Sequence, residues 1–187
     1  MINTTTPSKV DEAYQIVQSQ KDIRYFEPLY TAYYKSIYRF IANRIALHDD
    51  AKDIASQTFL KAMSNIRKYK PEGQYFSAWL YRIAYNEIAD FYRQKNKRFF
   101  INIEDNGIEK LKEEAELDID TADGQAQLSS ALMQLKTDEI QLIQLRFFDD
   151  LSYQEMATVL NCTETNARVK TFRTVKKLQN IYTNETK

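Results

Sequence analysis

Apolar side chains along this chain fall into blocks with a helical period. From a start at Asp49 or Asp50, the positions Ala51, Ile54, Ala55, Thr58, Phe59, Ala62, Met63 and Ile66 keep the i, i+3, i+4 spacing of one buried helix face. Ser77 is placed to cap a further helix whose stripe is Leu80, Ile83, Ala84, Ile88 and Phe91. Thr137 is placed to cap another, running through Ile140, Leu142, Ile143, Leu145, Arg146 and Phe147 and ending near Asp149 and Asp150. Ser152 and Glu155 then form a capping box, in which the serine oxygen serves a backbone N–H three residues on and the carboxylate reaches back. It starts a helix from Tyr153 to Leu160.

Asn161 follows where a tight turn needs a left-handed backbone, which Asn tolerates better than most residues other than Gly. Thr163 caps the next helix. Two helices this close, the second longer and basic, match the helix-turn-helix pattern, with Thr165 to Lys177 as recognition helix. At about 100° per residue, with Leu178 pointing inward, Ala167, Thr171, Thr174 and Val175 fall on the buried side. Thr165, Asn166, Val169, Lys170, Arg173, Lys176 and Lys177 fall outside. The first turns thus offer hydrogen-bonding and small apolar groups suited to base edges, and the later ones cations suited to phosphates. The plainer reading is a basic surface helix in an ordinary three-helix bundle.

Opposite the stripe that begins at Ala51 lie Asp53, Gln57 and Leu60, so a leucine occupies the centre of a face that should be wet. Single exposed leucines are common; flanked by an acid and an amide, this one is suited to anchor a partner. Beyond a turn at Pro71, Glu72 and Gly73 lies an aromatic and basic neighbourhood. Lys68, Tyr69, Lys70, Gln74, Tyr75 and Phe76 surround the turn; Trp79, Arg82, Asn86, Arg93 and Lys97 line one helix face and Tyr81, Tyr85 and Tyr92 another. Bases of single-stranded nucleic acid stack on rings while cations hold the backbone. For any one tyrosine, an amphipathic ring edging the core is the preferred reading.

Composition extends this picture. Three Gly and three Pro in 187 residues, none between Gln74 and Asn106 or after Gly124, predict an all-α chain. The formal net charge of zero hides a segregation: fifteen Lys or Arg against eight Asp or Glu from Lys21 to Phe100, three against eleven from Ile101 to Glu139, and seven against five from Ile140 to Lys187. The acidic stretch lacks a sustained apolar period. The expected organisation is therefore two small helical domains joined by an acidic flexible linker. Residues 1–20 form a flexible tail, 21–100 one domain, 101–127 the linker and 128–187 the helix-turn-helix domain.

Other classes fare poorly. Cys162 is alone and fits a reducing compartment, no signal pattern opens the chain, and no apolar run approaches the ~20 residues of a membrane span, so cytoplasmic placement without membrane insertion is expected. His48, beside Asp49 and Asp50, has no second His or nearby Cys for a metal or nucleophilic site. No Gly-rich phosphate loop is present. Neither an enzyme, a cofactor, a metal nor a small-molecule substrate is expected.

The stretches Asp50-Ala-Lys-Asp-Ile-Ala-Ser-Gln-Thr-Phe-Leu-Lys-Ala62 and Phe76-Ser-Ala-Trp-Leu-Tyr-Arg-Ile-Ala-Tyr-Asn86 resemble region 2 of bacterial sigma factors of the extracytoplasmic-function type. Leu151-Ser-Tyr-Gln-Glu-Met-Ala157 with the helix beyond it resembles their region 4. The resemblance implies binding to core RNA polymerase, with region 2 recognising and melting the minus-10 element and region 4 binding the minus-35 element. It places Asp53, Gln57, Phe59 and Leu60 in the polymerase-docking motif. Lys70, Gln74, Tyr75, Phe76, Trp79, Arg82 and Asn86 fall where the family contacts the minus-10 duplex and captures a flipped base of the non-template strand. Arg168, Lys170 and Arg173 match basic positions of its recognition helix. In such proteins the acidic linker runs through the polymerase's RNA path, and an anti-sigma factor commonly holds the two domains inactive.

Departures from the family are Gln57 for a frequent Glu, and Asp150 and Asn161 for Gly, residues able to take a positive φ in their place. Ala167 and Thr171 stand for larger apolar residues, which bears on the seating of the recognition helix. The alternatives are a self-sufficient DNA-binding regulator and a helical interaction module without promoter activity.

Overall fold

The computed structural model describes residues 9–70, 75–95, 107–119 and 121–185, and among them every regular element is helical. The chain divides into two compact units, Met1–Ile101 and Asn102–Lys187.

The first unit contains α1 (Lys9–Lys21), a 3-10 turn (Ile23–Phe26), α2 (Glu27–Ala42), α3 (His48–Asn65), a second 3-10 turn (Ile66–Lys68) and α4 (Phe76–Lys95). Leu29, Ile37, Phe40 and Ile41 of α2 meet Ala51, Ala55, Phe59 and Ala62 of α3 and Ala78, Leu80, Ala84 and Ile88 of α4 in the core. The alanines, lacking bulk, let these helices lie close together. Each helix begins and ends on local chemistry. Pro28 sits in the first turn of α2, where a missing N–H costs no helix bond. Beyond its end the buried Arg44 donates from Nη1 to the Phe40 carbonyl at 2.8 Å, its guanidinium 3.8 Å from the Phe40 ring centroid. The hydroxyl of Tyr92 donates to the Arg44 carbonyl, so Tyr92 is a core residue rather than a member of an outer tyrosine face.

Two helix starts differ slightly from expectation. α3 begins at His48, with Asp49 and Asp50 in its first turn beside the unpaired N–H groups, and α4 begins at Phe76, so Ser77 lies inside the helix. The larger correction is at the N-terminus. Lys9–Lys21, expected as a loose tail, is a helix that buries Ile16 and Ser19 against the unit. Its apolar positions are too sparse to announce a stripe, and much of its attachment is polar.

The second unit contains α5 (Gly107–Ala115), α6 (Ala122–Met133), α7 (Thr137–Ile143) with a π-helical extension (Gln144–Phe148), α8 (Tyr153–Leu160) and α9 (Glu164–Glu185). Here the linker expectation fails for residues 107–119. Leu111, Ala115, Leu117 and Ile119 are buried among elements of this unit. Gly107 is what admits them: a Cβ there would lie 2.6 Å from the Phe147 carbonyl oxygen. The segment reads as acidic because its outer side is; a few well-spaced apolar residues suffice to seat it. Thr121 caps α6 by accepting from the Gly124 N–H at 3.0 Å.

Thr137 proves to be the first residue of α7 rather than its cap. The cap function falls to Glu139, which accepts from the Lys136 N–H at 2.8 Å. In the π segment the Asp149 N–H reaches the Gln144 carbonyl, five residues back, and Gln144 is buried with its side-chain oxygen unpaired.

Candidate functional site

The helix-turn-helix follows from cap chemistry written locally. The Glu155 N–H donates to Ser152 Oγ at 3.2 Å while the Ser152 N–H donates to Glu155 Oε2 at 2.9 Å, closing the capping box of α8. Asn161 takes φ 53°, ψ 51° and ends α8; Asp150 takes φ 56°. Both therefore occupy the left-handed region in which glycine would be unstrained. Thr163 Oγ1 accepts from the Asn166 N–H at 3.2 Å and opens α9, and Cys162 is half-buried in the turn between.

On α9, Ala167, Thr171, Thr174, Val175 and Leu178 are buried, and Thr165, Asn166, Arg168, Val169, Lys170, Arg173 and Lys176 are exposed. The two faces are those the periodicity predicts. Two details change their reading. Lys177 is half-buried, and its ammonium donates to Glu139 Oε2 at 2.7 Å and so ties α9 to α7. Burial by itself would raise the Glu139 carboxyl, but the hydrogen bonds from Lys177 and the Lys136 backbone hold it below its ordinary value. Phe172, overlooked in the sequence, is 58% exposed, one turn from Val169 at 40%. The i, i+3 spacing from Val169 would have found it. The outer face thus carries an apolar pair between cations. Arg168 is held at its edge, 4.9 Å from the Tyr153 ring centroid and paired with Glu164 at 3.2 Å.

In the first unit, Asp53, Gln57 and Leu60 lie exposed along α3, with Leu60 at 55%. Phe59 does not share that surface. It is buried against Tyr30 and Tyr34 at centroid distances of 4.8 and 6.0 Å, beneath the exposed face that carries Asp53, Gln57 and Leu60.

The aromatic neighbourhood is organised around Phe76, which is 1% exposed. It cannot touch a base; it is the hub on which others rest. Tyr69 meets it edge-on at 5.4 Å, Tyr33 at 5.5 Å and Trp79 at 5.5 Å, and Tyr69 also meets Trp79 at 5.0 Å. Burial, with the charge of Glu12 behind it, pushes the Tyr69 hydroxyl up to about 12, so this ring stays neutral. Lys70, Tyr75 and Asn86 are exposed and Trp79 and Arg82 half-buried on this side of α4; Gln74 lies outside the described residues. Among the described residues no group of three or more His, Cys, Asp or Glu is placed to hold a metal ion, and no helix is long and apolar enough to cross a membrane.

A capped helix-turn-helix with a basic outer face, accompanied by a second helical unit that presents aromatic, amide and cationic groups, defines a DNA-binding transcription protein. The family model for Sigma-70 region 2 matches residues 29–98, and that for Sigma-70, region 4 matches residues 125–178. The RNA polymerase sigma factor YlaC of Bacillus subtilis is 30% identical over 136 residues, 72% of this chain and 78% of the relative. The ECF RNA polymerase sigma factor BldN of Streptomyces coelicolor is 29% identical over 160 residues, 83% of this chain but only 60% of that relative's length. Among solved structures, CnrH in complex with the cytosolic domain of CnrY shares the fold with a TM-score of 0.61 at 21% identity, covering 91% of this chain and 96% of the other. RpoE from Bartonella quintana, solved with the anti-sigma factor NepR, gives 0.55 at 19% identity, covering 83% and 95%. The chain belongs to the extracytoplasmic-function family of RNA polymerase sigma factors. It is accordingly a transcription initiation factor, not an enzyme.

Proposed function

We propose that the first unit docks on core polymerase through Asp53, Gln57 and Leu60 and opens the minus-10 element with Lys70, Gln74, Tyr75, Trp79, Arg82 and Asn86. The second unit then binds the minus-35 element through Thr165, Asn166, Arg168, Val169, Lys170, Phe172, Arg173 and Lys176. The observation that carries this reading is the outer face of α9, where an exposed Val169–Phe172 pair lies between cations on a helix whose start is fixed by Thr163. Cations supply sequence-independent attraction to phosphates, and apolar groups read thymine methyls in the major groove. Trp79 and Tyr75 supply the stacking surface that a melted strand needs.

Leu60 gives the polymerase a leucine to bury that the fold itself leaves in water. The reading places the protein in the cytoplasm, where its template lies. It also includes an anti-sigma partner, in keeping with CnrH and RpoE, which share the fold and were each solved with a bound partner. The test is transcription from a promoter library by core polymerase with and without the purified chain. Initiation at a defined subset of promoters is expected only with it, and identical transcript sets would refute the assignment. Duplex binding by the chain alone, with no effect on polymerase, would favour a self-sufficient regulator.

A further inference from the structure

The N-terminal helix α1 lies ahead of the matched region 2 segment, yet it is fastened to the place where the minus-10 surface begins. Gln20 Nε2 donates to two backbone carbonyls, Ile66 at 3.1 Å and Tyr69 at 2.8 Å. These carbonyls bracket the 3-10 turn through which the chain leaves α3. The Ile66 carbonyl also accepts the Tyr69 N–H at 3.1 Å, and at Tyr69 the backbone turns extended, with φ −67° and ψ 130°. One side-chain amide thus clamps the helical exit and the first extended residue together. From there the contacts run directly to the nucleic-acid surface: the Tyr69 ring rests on Trp79 and Phe76, and Lys70 is the next residue.

A second tie from the same helix reaches the other end of the stretch. The Tyr33 hydroxyl donates to the Glu12 carboxylate, and the Tyr33 ring lies against Phe76, the first residue of α4. Helix α1 therefore holds both described ends of the 69–76 segment, one by a direct hydrogen bond and one through a bonded tyrosine.

A polar strut of this kind differs from core packing in what it fixes. Apolar burial is non-directional and tolerates small shifts of one surface over another. Two hydrogen bonds from one planar amide fix both the distance and the angle of the carbonyls they hold. Gln20 is only half-buried, so its contribution to stability is modest and its contribution to geometry is the larger part. We propose that Gln20 is a positioning residue for minus-10 recognition: it seats Tyr69, and through Tyr69 the indole of Trp79, in the orientation that receives the melted strand. The proposal rests on the minus-10 role given to Trp79 above.

Trp79 is the single tryptophan of the chain, so its emission reports this seat with no label attached. The variants are Gln20→Met, which keeps length and helix propensity but removes the donor, Gln20→Lys, which restores one, and Tyr33→Phe, which deletes the tie to Glu12. Each lost neutral hydrogen bond is worth a factor of roughly two to ten. Gln20→Met, which loses two such bonds, should therefore give a holoenzyme that captures a single-stranded minus-10 non-template oligonucleotide, taken from a promoter the wild type selects, up to roughly 4- to 100-fold less well. In the free variant chain, Trp79 should become more accessible to acrylamide, whereas affinity for core polymerase and, in the holoenzyme, for minus-35 duplex stays unchanged. Gln20→Lys should restore most of the loss, and Tyr33→Phe should move both readouts the same way.

Unchanged Trp79 quenching and oligonucleotide capture in Gln20→Met would overturn the proposal. So would equal losses of core binding, minus-35 binding and thermal stability, which would mark Gln20 as merely structural. If wild-type holoenzyme selects no promoter, the minus-10 role of Trp79 itself falls, and with it the role given to Gln20; the quenching readout needs no promoter and separates the two failures.

Discussion

Gly107→Ala gives opposite outcomes for a free acidic linker and for a seated helix. In an unattached acidic segment, alanine in place of glycine is neutral or favourable, since Gly costs up to about 1 kcal/mol relative to Ala in a helix. In the folded second unit the added Cβ would lie 2.6 Å from the Phe147 carbonyl oxygen and 2.8 Å from the Phe147 carbonyl carbon and the Phe148 Cα. All three are backbone atoms, which cannot swing aside as a side chain would. α5 must then shift outward or detach. Overpacking of this kind costs about 1–3 kcal/mol. Full detachment would expose Leu111 and Ala115 and lose roughly 1.5–3 kcal/mol on the leucine alone. The expected destabilisation of α5 is thus about 1–3 kcal/mol. Hydrogen exchange on the full chain reads it locally, and the Leu111 and Ala115 amides should exchange roughly 5- to 150-fold faster in the variant. Exchange unaltered by the substitution, or amides that are unprotected in both proteins, would refute the seating of α5.

The remaining predictions concern the two interfaces and one ion pair. Leu60→Asp should leave thermal stability within about 0.5 kcal/mol, because the side chain is already in water, and should weaken core polymerase binding by roughly 10- to 100-fold through the lost burial; equal affinity in a titration would show that Leu60 is incidental. Phe172→Ala should lower minus-35 affinity by about 1 kcal/mol. Replacing thymine by uracil in the duplex should weaken the wild type at one or two positions and the variant at one fewer, since Val169 remains; a wild type indifferent to every thymine methyl would sink that role. Because the Glu139 carboxyl is held below its ordinary 4.5, its contribution to stability is fully present above about pH 4.5 and is lost as pH falls through the lower folded value. Glu139→Gln should therefore cost about 1 kcal/mol at neutral pH and flatten the stability decline below pH 4.5, as followed by urea denaturation. A variant that declines as steeply as the wild type would remove Glu139 from the account.

What the sequence disclosed and what it hid divide along a physical line. The helix-turn-helix was legible to the residue because its determinants are local: a serine and a glutamate three apart, an asparagine at a left-handed turn, a threonine at the next cap. The faces of α9 were legible because a single inward residue, Leu178, fixes the rotation of the rest. Where a residue's role depends on what arrives from elsewhere in the chain, periodicity was silent. Phe59 and Phe76 were assigned to interfaces and prove to be supports, since the tyrosines that cover them come from α2 and from the 3-10 exit of α3. Tyr92 went inward because the Arg44 carbonyl offered its hydroxyl a partner. Helix α1 was missed because its strongest attachments are an amide and a carboxylate rather than a leucine stripe. α5 was missed because Gly107 looks like a chain breaker when it is a point of close approach.

The wide turn at Gln144–Phe148 carries a consequence for how this domain tolerates change in length. A π turn holds more residues than an α turn spanning the same rise, so the chain there has, in effect, one residue in reserve. Deleting a residue from this turn would allow it to close as ordinary helix and give Gln144 a new orientation. The left-handed corner at Asp150 would then be met from a different direction, and α8, which follows it, would be re-aimed. Because α9 packs on α7 as well as on α8, and Lys177 binds Glu139, a single-codon deletion there would move α8 against an anchored α9 and strain the corner between them, altering how the recognition helix is braced without changing any residue on its face.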